Sequence, residues 1–486
     1  MKKRLIGILL LMSILFSGCG NAVEDESDGT EGAVTPESTN EIVPEETEYN
    51  IFSVLPEKDF TGDDFIFYIP TNEDSPVDKG LYAEELVGLT FEDAVYNRNL
   101  SVENEYNVHI STYQGGWYGS TYDDLKLNVS AGDNAYDVYF THVQNRNPAI
   151  VGEKLCLEWD YIPYLQMEEA WWNQTATHNL NMANKTFFAV SSINIQDVIL
   201  LVFNKEIAQA NSVVGNPYEY VREGTWTVDK LREIAEGVTI DLNGDGEIIA
   251  EDDQYGLIYG KNWQLPALMY ACDVVTVDLD ENGYPNLAVD NEQMYNIYEK
   301  LYNLCYSSGT HLFTGNYPDV GMETGQVLFC QYNLFTVETL RSGDVDYGIL
   351  PLPKYDETQN GYMTNSWTGM MCVPTTTPEE NYEMIGILME SLSYLGYRDV
   401  VPQYYDNVLK YKISRDEDSA EMLDIILSDI VYDVGMNFFS NNCAGNMMGT
   451  MLNSKIQNYA STLRKKTKAM AREYEKMYNA VVEAGQ

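Results

Sequence analysis

From Asp64 onward the sequence alternates between short apolar, β-branched and aromatic runs and longer segments whose apolar residues recur at three- and four-residue spacing. This alternation limits the fold more than any other feature. Asp64–Ile69 (DFIFYI), Val108–Tyr113, Tyr136–Phe140, Thr186–Val190 and Val198–Phe203 read as strands. Helices are predicted over Phe91–Tyr106 behind Thr90, with Asp93 at the capping-box position, and from near Lys205. Others are predicted over Val228–Glu236 behind Thr227, Asn291–Tyr306 behind Asp290 and Pro378–Leu395 behind Thr377. Ser419–Tyr432 and Thr450–Ala480 extend this to a helical carboxyl end. Strand, helix, strand order predicts α/β layers. Tyr347–Pro353 (YGILPLP), a short strand with two prolines, suits a stiff crossing between lobes.

The amino end has a different character. Lys2, Lys3 and Arg4 precede an apolar run from Leu5 to Phe16, followed by Ser17, Gly18 and Cys19. Such a run, about 18 Å long as a helix, is too short for a bilayer core of about 30 Å and reads as an export signal. Leu15-Phe16-Ser17-Gly18-Cys19 resembles a bacterial lipoprotein signal, which implies cleavage after residue 18 and lipidation of Cys19, with plain secretion as the alternative. Gly20–Glu48 carries ten acidic and no basic residues and two prolines, a composition that cannot bury enough surface to fold. Residues 19–58 are therefore expected to be the lipidated Cys and an acidic tether.

A chain of 486 residues with 44% hydrophobic residues is long enough for two domains. Its 29 Lys plus Arg against 75 Asp plus Glu, a formal charge of −46, excludes nucleic acid as a default partner. Seven scattered Cys without a CxxC pair, and four His, argue against zinc and iron–sulfur sites. Neither a Walker pattern nor a GxGxxG turn supports nucleotide binding, and no GxSxG elbow or HExxH supports hydrolysis.

Several segments, taken in order, resemble the family 1 extracellular solute-binding proteins of ABC importers, the branch that carries sugars and oligosaccharides. They are the lipobox ending at Cys19, Ala94-Val95-Tyr96-Asn97-Arg98-Asn99, Tyr136-Asp137-Val138, and Val202-Phe203-Asn204-Lys205-Glu206. Thr225-Trp226-Thr227, Asp253-Gln254-Tyr255-Gly256-Leu257 and Asp346 to Lys354 complete the series. The resemblance implies two α/β lobes joined by hinge crossings near Asp160, Tyr347 and Leu395, in a periplasmic-binding-protein-like fold with a helical C-terminal region. One lobe would hold 59–160 plus 352–395, the other 161–351 plus 396–486. It also implies ligand residues at Thr141, His142, Gln144 and Asn145 on the loop after the Tyr-Asp-Val strand, and at Asp197, whose carboxylate suits paired hydroxyls. Aromatic platforms for sugar C–H faces are expected among Trp263, Tyr332, Phe335, Trp367 and Phe438. Trp171, Trp172 and Trp226 lie beside predicted helix starts and read as core; His142 and Asp197 also have ordinary structural readings as a satisfied imidazole and a turn cap.

Asp241-Leu-Asn243-Gly-Asp245-Gly246-Glu247-Ile248-Ile-Ala-Glu-Asp252 follows the twelve-residue calcium-loop pattern. The expected structural Ca2+ ligands are Asp241, Asn243, Asp245, the carbonyl of Glu247, and Asp252, with Ile248 anchoring the loop to the core. An acidic turn with no ion is the other reading.

These readings converge on a monomeric, lipid-anchored protein on the outer face of the cytoplasmic membrane. It captures a carbohydrate between two lobes and hands it to ABC permease transmembrane subunits, without catalysis. An exported hydrolase using two of the carboxylates, and a sensor lipoprotein of the same fold, are the alternatives.

Overall fold

The computed structural model describes residues 49–71, 77–117, 119–142, 146–249, 252–260, 264–313, 321–340, 343–366, 369–406, 409, 416–439 and 444–484. All the elements below belong to one compact unit, Asn50–Gln486.

Nine strands build two main sheets: β1 (Asp63–Ile69), β2 (Val108–Gln114), β3 (Val138–Thr141), β4 (Ile199–Asn204), β5 (Tyr255–Gly260), β6 (Thr310–Phe313), β7 (Val327–Asn333), β8 (Tyr347–Leu350) and β9 (Met370–Cys372). The first sheet has the order β9-β3-β1-β2 and the second β8-β4-β7-β5-β6. In the first, β1 pairs in parallel with both β2 and β3, and β9 closes the edge antiparallel to β3. In the second, β5, β6 and β7 run parallel while β4 is antiparallel to β7 and β8.

Twelve helices are used below: α1 (Thr90–Tyr106), α2 (Ser120–Ala131), α3 (Asn147–Gly152), α4 (Val228–Val238), α5 (Gln264–Ala271), α6 (Glu292–Cys305), α7 (Leu334–Leu340), α8 (Tyr382–Leu395), α9 (Glu417–Ser428), α10 (Val434–Phe439), α11 (Ala444–Asn453) and α12 (Tyr459–Ala484). Every residue of β4, Ile-Leu-Leu-Val-Phe-Asn, is buried, as expected of a strand covered on both faces. Its side chains alternate between two apolar clusters. Leu201 and Phe203 pack with Trp226, Leu231 and Ile234; Leu200 and Val202 pack with Cys330, Phe91 and Val95. The first sheet buries Phe65, Phe67, Val138 and Phe140 against Ile385, Leu388 and Leu392 of α8. Trp171 and Trp172 are core, as expected: both indole N–H groups donate to the fully buried Glu390, at 2.7 and 2.9 Å. Trp226 is also fully buried and donates to the Pro351 carbonyl.

Several boundaries differ from the sequence expectation. Ile51 and Leu55 are buried in the first sheet's core, so packing begins inside the stretch assigned to a tether. Thr90 lies within α1, and Asp93 instead accepts the N–H groups of Val87 and Gly88. The cap of α6 is Asn291, not Asp290, and a 3-10 turn over Glu379–Asn381 delays α8 to Tyr382. Asp416 caps α9, which starts at Glu417, and the last predicted helix is two, α11 and α12. Thr186–Val190 forms no strand; only an isolated bridge, Ala189 to Met371, forms there. The Pro351–Pro353 segment stays with the second sheet, where the Val228 N–H donates to the Lys354 carbonyl and the Lys354 N–H to the Trp226 carbonyl. The passage back to the first sheet follows it, between Lys354 and Met370.

Candidate functional site

In a parallel sheet the crevice outside the carboxyl ends of the strands, where the strand order reverses, is a natural ligand site. Both sheets have such a reversal: β2 and β3 flank β1, and β6 and β7 flank β5. The two carboxyl edges face each other, because Lys79, shortly after β1, reaches α7, directly after β7. Its ammonium lies 2.5 Å from Glu338 Oε1 and 4.5 Å from the centre of the Phe335 ring. Tyr404 donates its hydroxyl to the same carboxylate; burial, reinforced by Glu338, raises its phenol well above the ordinary value.

Residues 191–198 form a strap between the edges. The Asn194 side-chain N–H donates to the Val77 carbonyl at 2.7 Å, and the Ile195 N–H to that of Lys79 at 2.7 Å. The Gln196 side-chain oxygen accepts from Tyr432 and Ser366 hydroxyls at 2.5 and 3.2 Å. Asp197 accepts Asn333 Nδ2 at 2.5 Å and the Phe335 N–H at 3.1 Å. Asn194 and Ile195 thus tie the strap to the segment after β1, Gln196 ties it to Ser366 and Tyr432, Asp197 ties it to the end of β7, and the chain then enters β4.

The expected site residues fall into two groups. Asp197 and Phe335 are joined directly, at the end of β7. Thr141 and His142 are buried at the end of β3, where the Thr141 hydroxyl donates to Asn147 Oδ1 at 2.7 Å. Asn147 Nδ2 lies 3.2 Å from both the His142 and Asn437 carbonyls, so this cluster reaches the helix that carries Phe438. Phe438 itself is buried, tilted against Phe188 at 5.7 Å. Tyr332 is buried in β7 with its hydroxyl toward the Met322 N–H at 3.4 Å, and burial raises its phenol well above the usual range. Gln144, Asn145, Trp263 and Trp367 lie outside the described residues.

Four residues of this region are absent from the sequence reading. Asn147 and Asn437 meet across 290 positions. Asn365, in a short two-residue strand paired with Ile430 and Val431 beside β4, is 1% exposed, and both polar ends of its amide lack a hydrogen bond among the described residues. Leaving such groups unpaired costs about 1–3 kcal/mol each, so they call for a solvent or ligand partner. Trp117, beyond the end of β2, is 64% exposed. It follows Gly115, where a Cβ would come within 2.1 Å of the Tyr68 hydroxyl, so the turn must be glycine to lie over that ring. The Gly-Gly-Trp run was a usable clue.

In the acidic loop, Asp241 accepts the N–H groups of Gly244 and Gly246 at 2.6 and 2.8 Å, with Gly246 at φ +86°. Asn243 and Asp245 accept the N–H groups two residues on. Asp253, fully buried, pins both arms through Leu242 and Ile249, each at 2.8 Å, while Asp252 is exposed. Ile248 is 37% exposed and so is no core anchor; Asp253 closes the loop instead. No group of three or more His, Cys, Asp or Glu among the described residues is arranged to hold a metal ion.

No protein-family model matches the chain, and no curated protein matches it. Among solved structures it is similar to a cyclo/maltodextrin-binding protein complexed with maltotetraose, with a TM-score of 0.55 at 12% identity over 87% of this chain and 98% of that one. It is similar also to a cyclic α-maltosyl-1,6-maltose binding protein from Arthrobacter globiformis, with a TM-score of 0.54 at 11% identity, over 87% and 98% of the two chains. A family 1 extracellular solute-binding protein from Bifidobacterium longum subsp. infantis matches with a TM-score of 0.54 at 12% identity, over 84% and 100%. Two sheets facing each other by their carboxyl edges, a strap between them and these likenesses together give the chain the two-lobed α/β fold of extracellular solute-binding proteins.

Proposed function

We propose that this chain captures a carbohydrate, an oligosaccharide, in the crevice beside the strap and presents the closed, loaded form to the transmembrane subunits of an ABC permease. The observation that carries the reading is the pair of facing carboxyl edges bridged by residues 191–198, with the buried Asn365 amide beside β4 unsatisfied among the described residues. A ligand touching both edges stabilises only the closed arrangement, so its binding energy shifts the lobe equilibrium. Solved proteins of the same fold hold maltotetraose or acarbose, which supports a sugar here. Thr141, His142, Gln144, Asn145, Asp197, Trp263, Tyr332, Phe335, Trp367 and Phe438 remain the proposed ligand set, with Trp117 and Asn365 added. Binding is the whole activity; no catalytic step is assigned.

Cys19 would hold the protein to the outer face of the membrane through its lipid, and no helix among the described residues is long and apolar enough to cross a bilayer. The loop from Asp241 to Asp252 would hold a structural Ca2+ through Asp241, Asn243, Asp245, Asp252 and the Glu247 carbonyl. Melting the protein with EDTA and then with excess CaCl2 tests this: calcium should raise the midpoint, and Asp241→Ala should abolish the rise. Equal midpoints with and without calcium would remove the ion from the account.

The function is tested by a thermal-shift screen against mono- and oligosaccharides. Ligand at 100 times its Kd adds about 2.7 kcal/mol of stability. One sugar class should raise the midpoint and be recovered chemically intact. Turnover of the sugar, or no shift across the panel, would overturn the reading.

A further inference from the structure

Away from the strap, α6 and the turn between α11 and α12 enclose a groove of about 480 Å3, in the size range of small-ligand sites. Tyr295, Tyr298 and Tyr302 recur along one face of α6, and Tyr459, the first residue of α12, packs on the first two. Tyr459 stacks on Tyr298 with ring centres 4.9 Å apart and planes at 24°, and meets Tyr295 edge-on at 6.1 Å. These rings are fixed at their far ends: the Tyr298 hydroxyl donates to the Ile456 carbonyl and that of Tyr295 to Asp290. Tyr298 and Tyr459, 1% and 2% exposed, back the groove, and the half-buried Tyr295 and Tyr302 are the rings that can meet a ligand; packed on that ordered backing, they bind at a lower entropy cost.

The rest of the lining is amide, carboxylate and one methyl group: Glu299, Asn303, Gln457, Asn458 and Ala460. Among the described residues, the side chains of Glu299, Asn303 and Gln457 make no hydrogen bond or ion pair. Flat rings beside uncommitted amides match a pyranose, whose C–H face packs on an aromatic ring while its hydroxyls seek donors and acceptors. A hydrophobic peptide would need aliphatic walls, and among the described residues Ala460 is the sole aliphatic one in the lining. A phosphate or uronate would need an available cation; no cation is among the described lining residues, and the neighbouring Arg464 is engaged at the Tyr295 hydroxyl beside Asp290.

We propose that this groove is a second carbohydrate site, distinct from the crevice at the strap, that takes a short segment of a neutral glycan chain. If the crevice also binds sugar, as proposed above, the groove would hold the protein on a polymer and raise the local concentration of fragments released from it. The site itself does not depend on that reading.

The experiment is affinity electrophoresis of the intact protein in native gels containing soluble starch, barley β-glucan or arabinoxylan. Mobility should fall in at least one of these gels, with Asp197→Ala retarded as strongly as wild type. Tyr302→Ala, and separately the double variant Asn303→Ala with Gln457→Ala, should weaken the retardation at least tenfold. The double variant changes exposed side chains only and should melt at the wild-type temperature, so its loss would not reflect misfolding. Groove variants retarded as strongly as wild type, or no retardation of wild type in any gel, would overturn the proposal. The sugar-induced rise in melting temperature, unaltered by the groove variants and lost in Asp197→Ala, reports the crevice separately.

Discussion

Asp137, the middle residue of the Tyr-Asp-Val segment, is 6% exposed, and its position next to β3 sets up a measurable pH effect. Its backbone N–H donates to the Ile66 carbonyl at 2.9 Å, while its carboxylate accepts the Ile66 N–H at 2.8 Å. The side chain thus clamps β3 to β1 at the start of the strand. Burial pushes its pKa up from 3.8 to about 6; the Ile66 N–H opposes the rise and the nearby Asp64 charge adds to it. A rise of about two units is worth about 3 kcal/mol at 1.36 kcal/mol per unit. Between about pH 4 and pH 6 the folded chain keeps a proton that the unfolded chain has released, so stability from this group falls as pH rises through that window and stays low above it. Asp137→Asn cannot ionise, yet its amide oxygen can still accept the Ile66 N–H. Measured by urea unfolding at pH 4, 5, 6 and 7, the variant should gain on wild type by about 3 kcal/mol across the series. Asp137→Ala, which removes the acceptor, should instead lose about 1–3 kcal/mol at pH 4. Parallel pH curves for wild type and Asp137→Asn, within about 0.5 kcal/mol, would refute the claim that a buried charge is being tolerated there.

Glu390→Leu leaves the indole N–H groups of Trp171 and Trp172 and the Gln166 N–H without their acceptor, and should cost about 3–6 kcal/mol in urea unfolding. Trp117→Ala removes a mostly exposed ring, so the melting temperature should hold while sugar affinity, measured by calorimetry, falls about tenfold. Asn365→Ala removes an amide that has no hydrogen bond among the described residues; unfolding free energy should hold, or rise by up to about 1–3 kcal/mol for each unpaired end removed, while the sugar-induced thermal shift shrinks. A large stability loss in Asn365→Ala would place that side chain among the structural groups instead.

What the sequence made legible was local. Thr227 caps α4 as expected, through the Lys230 N–H, because a Thr followed by an amphipathic run is a complete signal within a few residues. The interruption between α11 and α12 gives no such signal: Ser454 to Asn458 contain neither Pro nor Gly, and Lys455 takes φ +56°. Thr186–Val190 shows the reverse failure, since its β-type residues are buried by neighbouring chain without completing a ladder beyond the Ala189–Met371 bridge. Asp290 and Asn291 are both good caps by residue type, and tertiary contact decided between them: Asp290 takes the Tyr295 hydroxyl and leaves the Met294 N–H to Asn291.

The site was harder to read because it is assembled from one or two residues at the end of each of several strands, far apart in the chain. Asp197 was found from its place before β4, yet its bonds to Asn333 and the Phe335 N–H connect it to a helix start 138 residues away. Asp197 is 1% exposed and holds Asn333 and the Phe335 N–H, so it would act on a ligand through the end of β7 that it fixes. A structural role for Asp197 therefore does not compete with a part in binding. Position-by-position odds between core and ligand thus miss what this fold does: the groups that fix the two carboxyl edges are the groups through which closure would sense a bound sugar.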